Sequence, residues 1–439
     1  MAMCRWQSCR RCVGRWNGSL SCHDRKEENH MKQKCLALLV AGGLLCSTLM
    51  GCTRTYATDL MDGVKAGTPT EVQVQKETWT GMYDFSVKLL QTTCDREDNT
   101  LVSPMSVLSA LAMTANGAQG ETRTQMEEIL GGSVEQLNGA LAGLGQENDS
   151  PLYLANSIWF AEGGRITPNP DFLQVNADCY RAGVFEAPFD QTTVTDINRW
   201  VKEHTHGMVE EVLKEIPRDT VMYLINALAF EGEWENPYQK ENVWQQAFTN
   251  QEGKVQQVSM MHSEEQLYLR DDQTQGFMKY YQGGRYAFVA LLPDKEISIL
   301  DYVEGLDGQQ LKELLEDPTS VPVAATMPKF ESEMEVDLVE VLKEMGMVLP
   351  FDGAQADFTD LGTSPEGNLY INEVLHKAYI EVEEKGTRGG AATVVGMNSE
   401  GAPEEPKEQM VVTLDRPFVY LVVDTSSMLP VFMGTVLSV

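Results

Sequence analysis

Four groups of residues have types and spacings suited to chemistry. Leu49-Met-Gly-Cys52 places a cysteine after a small residue at the end of an apolar run. That is the pattern of a bacterial lipobox, and its chemistry is acylation of the Cys52 thiol. His204-x-His206 has the residue type of a metal site, but it falls on a predicted helix, where positions i and i+2 point apart, so zinc is not expected. His376 follows Ile371-Asn-Glu-Val-Leu375 in a predicted strand, where a lone histidine usually serves as a satisfied core residue. The fourth group is Glu381-Val-Glu-Glu-Lys-Gly-Thr-Arg-Gly-Gly-Ala-Ala-Thr-Val-Val395. It begins as a strand and runs into tiny side chains from Gly386 to Thr393, where each interior glycine costs a permanent strand about 0.5–1 kcal/mol. It also lacks the Pro, Asn and Asp of an ordinary loop. Such a tract suits a segment that becomes a strand later, by sliding between strands already packed. Period-2 alternation puts Thr387, Gly389, Ala391, Thr393 and Val395 on one face and Arg388 on the other. A flexible Gly/Ala linker is the competing reading.

The usual enzyme signatures do not occur. There is no phosphate-cradling glycine loop at a strand–helix junction and no G-x-S-x-G elbow. Carboxylates are too numerous for any acid/base pair to carry weight. An enzyme is therefore the weaker class, and no metal or cofactor is called for.

These residues must be positioned by the elements around them. Glu77 to Thr93 carries apolar residues at helical spacing, and Ser103-Pro104 opens a second helix, with Ser as N-cap and Pro at the first helical position. Glu121 to Leu130 is a helix closed by Gly131-Gly132, and Thr195 to His206 is another. Leu152–Ala161 and Val221–Phe230 read as buried strands. From Ala287 on, strands dominate (287–292, 321–327, 369–383, 410–414, 418–423, 431–438), interrupted by one helix, Val336 to Met345. No repeat and no second-domain break is visible. Helices early and strands late predict an α+β fold. Gly396 to Glu408 is polar and Pro/Glu-rich, an exposed loop inside an ordered region.

The chain has 439 residues and a formal charge of −31. Residues 1–51 carry eight Lys/Arg and three Asp/Glu, leaving 26 and 62 in the remainder, or −36. Such a body repels phosphate backbones, so nucleic acid is excluded as a partner. Seven of nine cysteines lie in the first 52 residues; Cys94 and Cys179 are read as buried free thiols, with a single bridge as the alternative. Met31-Lys-Gln-Lys34 and the apolar Cys35–Met50 form a signal peptide over residues 31–52. Residues 1–30 are expected to lie upstream of the true start at Met31. Residues 53–75 read as a flexible tether, and 76–439 as one domain.

The sequence resembles the serpin family from about residue 76 to 439. The blocks that carry the resemblance are Asn99 to Met113 with Gly117-Ala-Gln-Gly-Glu-Thr122, Phe185-Glu-Ala-Pro-Phe-Asp190, Ile197-Asn-Arg-Trp-Val201, Leu224 to Trp234, Met327-Pro-Lys-Phe330, His376-Lys377 with Glu381 to Thr393, Asp415-Arg-Pro-Phe418 and Phe432-Met-Gly434, all in family order. The resemblance implies three β-sheets, eight or nine helices and an exposed reactive-centre loop, here about 386–409. It implies a monomeric, single-use inhibitor of serine, or cysteine, proteases. The protease attacks a bait bond and forms a covalent acyl complex; the cut loop then inserts into the main sheet. About 15 extended residues span roughly 50 Å, enough to cross a domain.

By resemblance, the hinge comprises Glu384, Gly386, Thr387, Arg388, Gly389, Gly390, Ala391, Ala392 and Thr393. Ser103, Ser106, Asn226 and His376 match the polar cluster under the sheet's opening region, and Trp234 the aromatic where insertion starts. Arg388 and the two glycines replace the family's usual Glu and alanines. Counting from the hinge puts the bait bond at Glu400-Gly401; counting back from Arg416-Pro417-Phe418 points near Glu405-Pro406, where Pro resists cleavage. Glu400-Gly401 is preferred and Met397-Asn398 is second. The expected location is outside the cell or in its envelope, with a lipid on Cys52 as the only membrane contact. A non-inhibitory or substrate-like serpin acting as a binding protein is the alternative.

Overall fold

The computed structural model describes residues 57–142, 144, 150–163, 166–217, 220–365, 368–387 and 409–439. Cys52, Arg388 to Thr393 and both bait-bond choices lie outside the described residues. Among those described are nine α-helices and three sheets of eight, nine and two strands, the α+β architecture that the sequence predicts.

The eight-stranded sheet carries the site. Its middle is the antiparallel pair Leu152–Ala161 and Met222–Phe230, followed by the parallel neighbour Glu373–Val382. Phe330–Asp337 closes one side, antiparallel to Glu373–Val382. Gly183–Ala187 and Thr58–Asp59 close the other. Met222–Phe230 is buried at every position because helices and the second sheet cover both faces. The edge strand Phe330–Asp337 instead alternates, with Glu331, Glu333, Glu335 and Asp337 exposed. Charges on an edge oppose pairing with another chain.

Beneath the central strands runs the helix Pro104–Ala115, whose every residue is buried. Its start follows the sequence logic: the Ser103 side chain accepts from the Ser106 amide, and Pro104 occupies the first turn. Gly131 ends the helix Gly120–Leu130 at φ +88°, a left-handed cap that glycine adopts without penalty.

Several expectations are corrected. The predicted helix Val336–Met345 is shorter, Val339–Glu344, because Val336 and Asp337 finish the edge strand. Two short helices, Ile299–Gly305 and Gly308–Glu316, also interrupt the later strands. The helix expected over Thr195–His206 is Gln191–His204, capped by Asp190; His206 lies beyond it at φ +51°. Both remaining thiols are free, but Cys94 is only half-buried. Among the described residues no helix is long and apolar enough to cross a membrane.

The largest correction concerns the expected tether. From residue 57 onward this segment is docked. The Ala57 amide donates to Asp196 at 3.0 Å, Thr58–Asp59 extends the main sheet, and the Leu60 amide donates to the Val184 carbonyl at 2.8 Å. Leu60 and Met61 pack against the core. Farther on, the Gly67 amide donates to Asp178 at 2.6 Å, and Gln174 donates to the Lys65 carbonyl at 3.0 Å. Removing residues 1–68 should lower Tm by about 5–10 °C, since it deletes several hydrogen bonds and two partly buried apolar side chains. A thermal melt of the truncated chain checks this; an unchanged Tm would restore the tether.

Candidate functional site

The main sheet is closed in its lower half and splayed in its upper half. The parallel ladder between the central strands runs from Tyr223/Glu373 to Leu228/Ala378 and stops. Higher up, Gly386–Thr387 has folded back and occupies the space between them as a two-residue strand. Thr387 pairs with Val382 on one side and Gly232 on the other, and Gly386 faces Glu233. A tight turn, closed by the Glu383 amide donating to the Gly386 carbonyl at 2.9 Å, brings the chain back. A Cβ on Gly386 would collide with the Gly232 carbonyl, so the close approach requires glycine. Thr387 is 0% exposed, and its hydroxyl lies 2.5 Å from that of Tyr281. The inward face expected for Thr387 is therefore occupied by Thr387 itself.

The segment after Met222–Phe230 holds this hinge root. Trp234 is fully buried. Its amide donates to the Lys385 carbonyl and its indole N–H to the Glu383 carbonyl, both at 2.8 Å. The Tyr238 amide donates to the Glu384 carbonyl at 2.8 Å. Trp234 stacks on Tyr281 with centroids 4.4 Å apart. The Glu384 side chain pairs with Lys329 at 2.9 Å, and Glu383 pairs with it at 3.4 Å. Partial burial pushes the Glu384 carboxyl up, but the Lys329 ammonium outweighs it and holds the group below the ordinary carboxylate range.

Ser103, Ser106, Asn226 and His376 come together as the resemblance implies, and all four are buried. His376 and Asn226 are register partners across the central ladder, and Asn156 is the partner of Asn226 on the next strand. The three form a polar row across the sheet. The helix start touches both sides of the ladder. The Ser103 amide donates to His376 Nε2 at 3.2 Å, the Ser106 hydroxyl donates to the Asn226 side-chain carbonyl, and Asn226 Nδ2 donates to the Ser106 carbonyl at 3.0 Å and to Asn156. Ser103 Oγ also donates to the Val431 carbonyl at 2.7 Å. The pair cannot separate without breaking some of these bonds.

Sequence reasoning missed Asn156, Tyr281, Tyr238 and Lys329. Asn156 carried a signal, a lone amide inside the apolar strand Leu152–Ala161. Tyr281 carried none, because 106 residues separate it from Thr387. His204 and His206 do not make a metal site. The His204 ring stacks on Trp200 and that of His206 packs on Tyr153. Among the described residues no His/Cys/Asp/Glu cluster could hold a metal.

Burial lowers His376 to about 4. Because Nε2 accepts a hydrogen bond, protonating it would set donor against donor. An unfolded histidine titrates near about 6.5, so between about 6.5 and 4 the unfolded chain binds more protons. The burial therefore costs no stability above about 6.5, and the cost grows to about 3 kcal/mol as pH falls to 4. His376→Gln, which keeps an acceptor for Ser103, should show a shallower fall of Tm across that window; parallel melts from pH 7 to 4 check it.

A sequence profile of the Serpin (serine protease inhibitor) family matches residues 80–439. Plasminogen activator inhibitor 1 of Bos taurus is 28% identical, over 81% of this chain and 90% of that protein. The thermophilic serpin tengpin in its native state is 44% identical, covering 87% of this chain and 100% of its own, with TM-score 0.81. Tengpin in its latent state is 42% identical, covering 84% of this chain and 100% of its own, with TM-score 0.73. A profile match over most of the chain, with this sheet and this polar row, makes the protein a member of the serpin family.

Proposed function

We propose that this serpin is a single-use inhibitor that traps serine proteases or, by the same acyl chemistry, cysteine proteases. The protease attacks the bait bond, which we place at Glu400-Gly401 with Met397-Asn398 as second choice, and forms an acyl-enzyme. The released hinge, Arg388 to Thr393, then continues the strand begun at Gly386–Thr387. The observation that carries this reading is the seating of those two residues between Val382 and Gly232. On this reading those two residues are the first step of insertion, and the residues that next face inward, Gly389, Ala391 and Thr393, are small enough to follow. The inhibitory name of the Bos taurus relative supports the same reading. An inserted strand pairs on both sides, gaining about 0.5–1.5 kcal/mol per backbone hydrogen bond. The uncut molecule is then held by a kinetic barrier. We also propose that acylated Cys52 displays the inhibitor on the outer face of the cell membrane, and that it works as a monomer without cofactor.

Incubation with a panel of serine and cysteine proteases, followed by denaturing gels, tests the reading. A denaturant-resistant adduct is expected, and the mass of the released C-terminal peptide locates the cut. Clean cleavage without adduct would make the protein a substrate-like serpin. Thr387→Arg should abolish the adduct while leaving cleavage intact, because Thr387 is fully buried beside Tyr281. Nicking within 396–408 should raise Tm by tens of degrees; an unaltered melt would remove the stored energy that trapping needs.

A further inference from the structure

Behind the hinge root lies a buried ion pair that the trapping reaction does not require on its face. Lys279 is 1% exposed. Its ammonium donates to Glu265 Oε1 at 2.8 Å and to the backbone carbonyl of Asn236 at 3.0 Å. It also lies 4.6 Å from the centre of the Tyr238 ring and 5.5 Å from that of Trp234. The same Glu265 oxygen accepts from Ser263 Oγ at 2.6 Å, and Ser263 is 3.4 Å from the Tyr238 hydroxyl. Lys279 and Tyr281 are two residues apart where the strand Thr274–Tyr280 ends, so both face the same side. Trp234 lies over both of them.

Among the described residues, the contacts of this ammonium outside Glu265 are all to the 234–238 segment, and that segment is otherwise tied by the Glu235 amide donating to the Tyr280 carbonyl at 3.0 Å and by the stacking of Trp234 on Tyr281. It makes no ladder of its own beyond the single bridge Trp234–Tyr281. Yet it supplies the three hydrogen bonds that hold Glu383, Glu384 and Lys385. A buried pair is a poor source of stability, because desolvating both charges offsets their attraction. It is a good source of position, since a desolvated cation over aromatic faces fixes the rings it touches. Glu265 is the carboxylate that faces this buried cation.

We infer that Lys279 and Glu265 are positioning residues for loop insertion. They lock Trp234 and Tyr238 so that the hinge root enters the sheet in the one register that sets Thr387 opposite Gly232. The inference rests on the insertion reading for its consequence, but the positioning itself is a property of the uncut protein.

Two variants and two measurements test it. Lys279→Met leaves a buried carboxylate alone; the paired Lys279→Met/Glu265→Gln variant removes both charges at nearly constant volume and guards against simple misfolding. In the uncut full-length protein, hydrogen exchange at the Trp234 and Tyr238 amides should quicken by about tenfold or more in both variants, while Leu152–Ala161 exchanges as before. Wild-type exchange at those two amides in the paired variant would overturn the positioning role. Against a protease that the unaltered protein traps, the paired variant should need about two- to fivefold more inhibitor per enzyme trapped, as misregistered loops partition to cleavage. An unchanged ratio would overturn the link to insertion. The exchange arm uses no protease, so its result stands apart from the result of the protease panel.

Discussion

The ladder between Met222–Phe230 and Glu373–Val382 is the joint on which the molecule turns. These strands are sequence-distant, parallel and paired over only six positions, Tyr223–Leu228 with Glu373–Ala378. Parallel pairing is slightly weaker per residue than antiparallel pairing. Each strand is also held on its far side by a longer antiparallel partner, Leu152–Ala161 or Phe330–Asp337. The sheet is thus two firm halves meeting at a shorter seam. The seam is held by fewer pairs than the antiparallel ladder on either side of it.

What holds the seam is mostly not the seam. His376 and Asn226 face each other across it, but neither is satisfied by the other. Both reach down to the helix Pro104–Ala115, to the Ser103 amide and to Ser106. An apolar pair at this level would gain by packing but would offer no directional preference. Hydrogen bonds to one rigid helix end fix both strands to a common reference, and a buried polar group left without its partner costs about 1–3 kcal/mol. The row therefore makes closure specific and gives opening a threshold. At the other end of the seam, the aromatic platform of Trp234, Tyr238 and Tyr281 grips the chain on both sides of Gly386. The threshold and the grip lie at different heights of the same crevice.

How far this was legible in the sequence varies with the physics of each part. The buried strands and the cap of Pro104–Ala115 could be read because burial and capping are local and leave period-2 runs and a Ser-Pro signature. The start of the small-residue tract, Gly386-Thr387, could be read because Thr387 faces inward beside Tyr281 and a Cβ on Gly386 would collide with the Gly232 backbone. Val243–Thr249 and Val255–Arg270 were missed because one face is polar and Gln, Ser and Glu fill outward positions, and Thr274–Tyr280 because a glycine and a buried lysine break its apolar run. The docking of residues 57–75 was invisible, since its bonds run from backbone to Asp196, Asp178, Gln174 and Gln136, contacts that leave no periodic trace. The Tyr281–Thr387 and Lys329–Glu384 pairs were hidden for the same reason: they are set by tertiary approach, not by spacing.

The splayed upper half bears on the direction of insertion. Above Ala378 the strand Glu373–Val382 keeps its partner Phe330–Asp337 but has lost Met222–Phe230, until Thr387 fills the place beside Val382. A loop entering the sheet from this end needs no nucleation, because its first pairs exist on both sides. The next residues would fill the gap beside 379–381, and only from Ala378 downward would each exchange one pair of the short parallel ladder for pairs with two flanking strands. The exchange is unfavourable only until the polar row parts, since each step beyond it adds bonds on both sides of the new strand without breaking another cluster of this kind. Entry from the bottom would have to part the closed ladder before gaining any pair. In the proposed reaction, then, the chain can insert only hinge first, and the barrier that stores its energy lies at the level of Asn226 and His376.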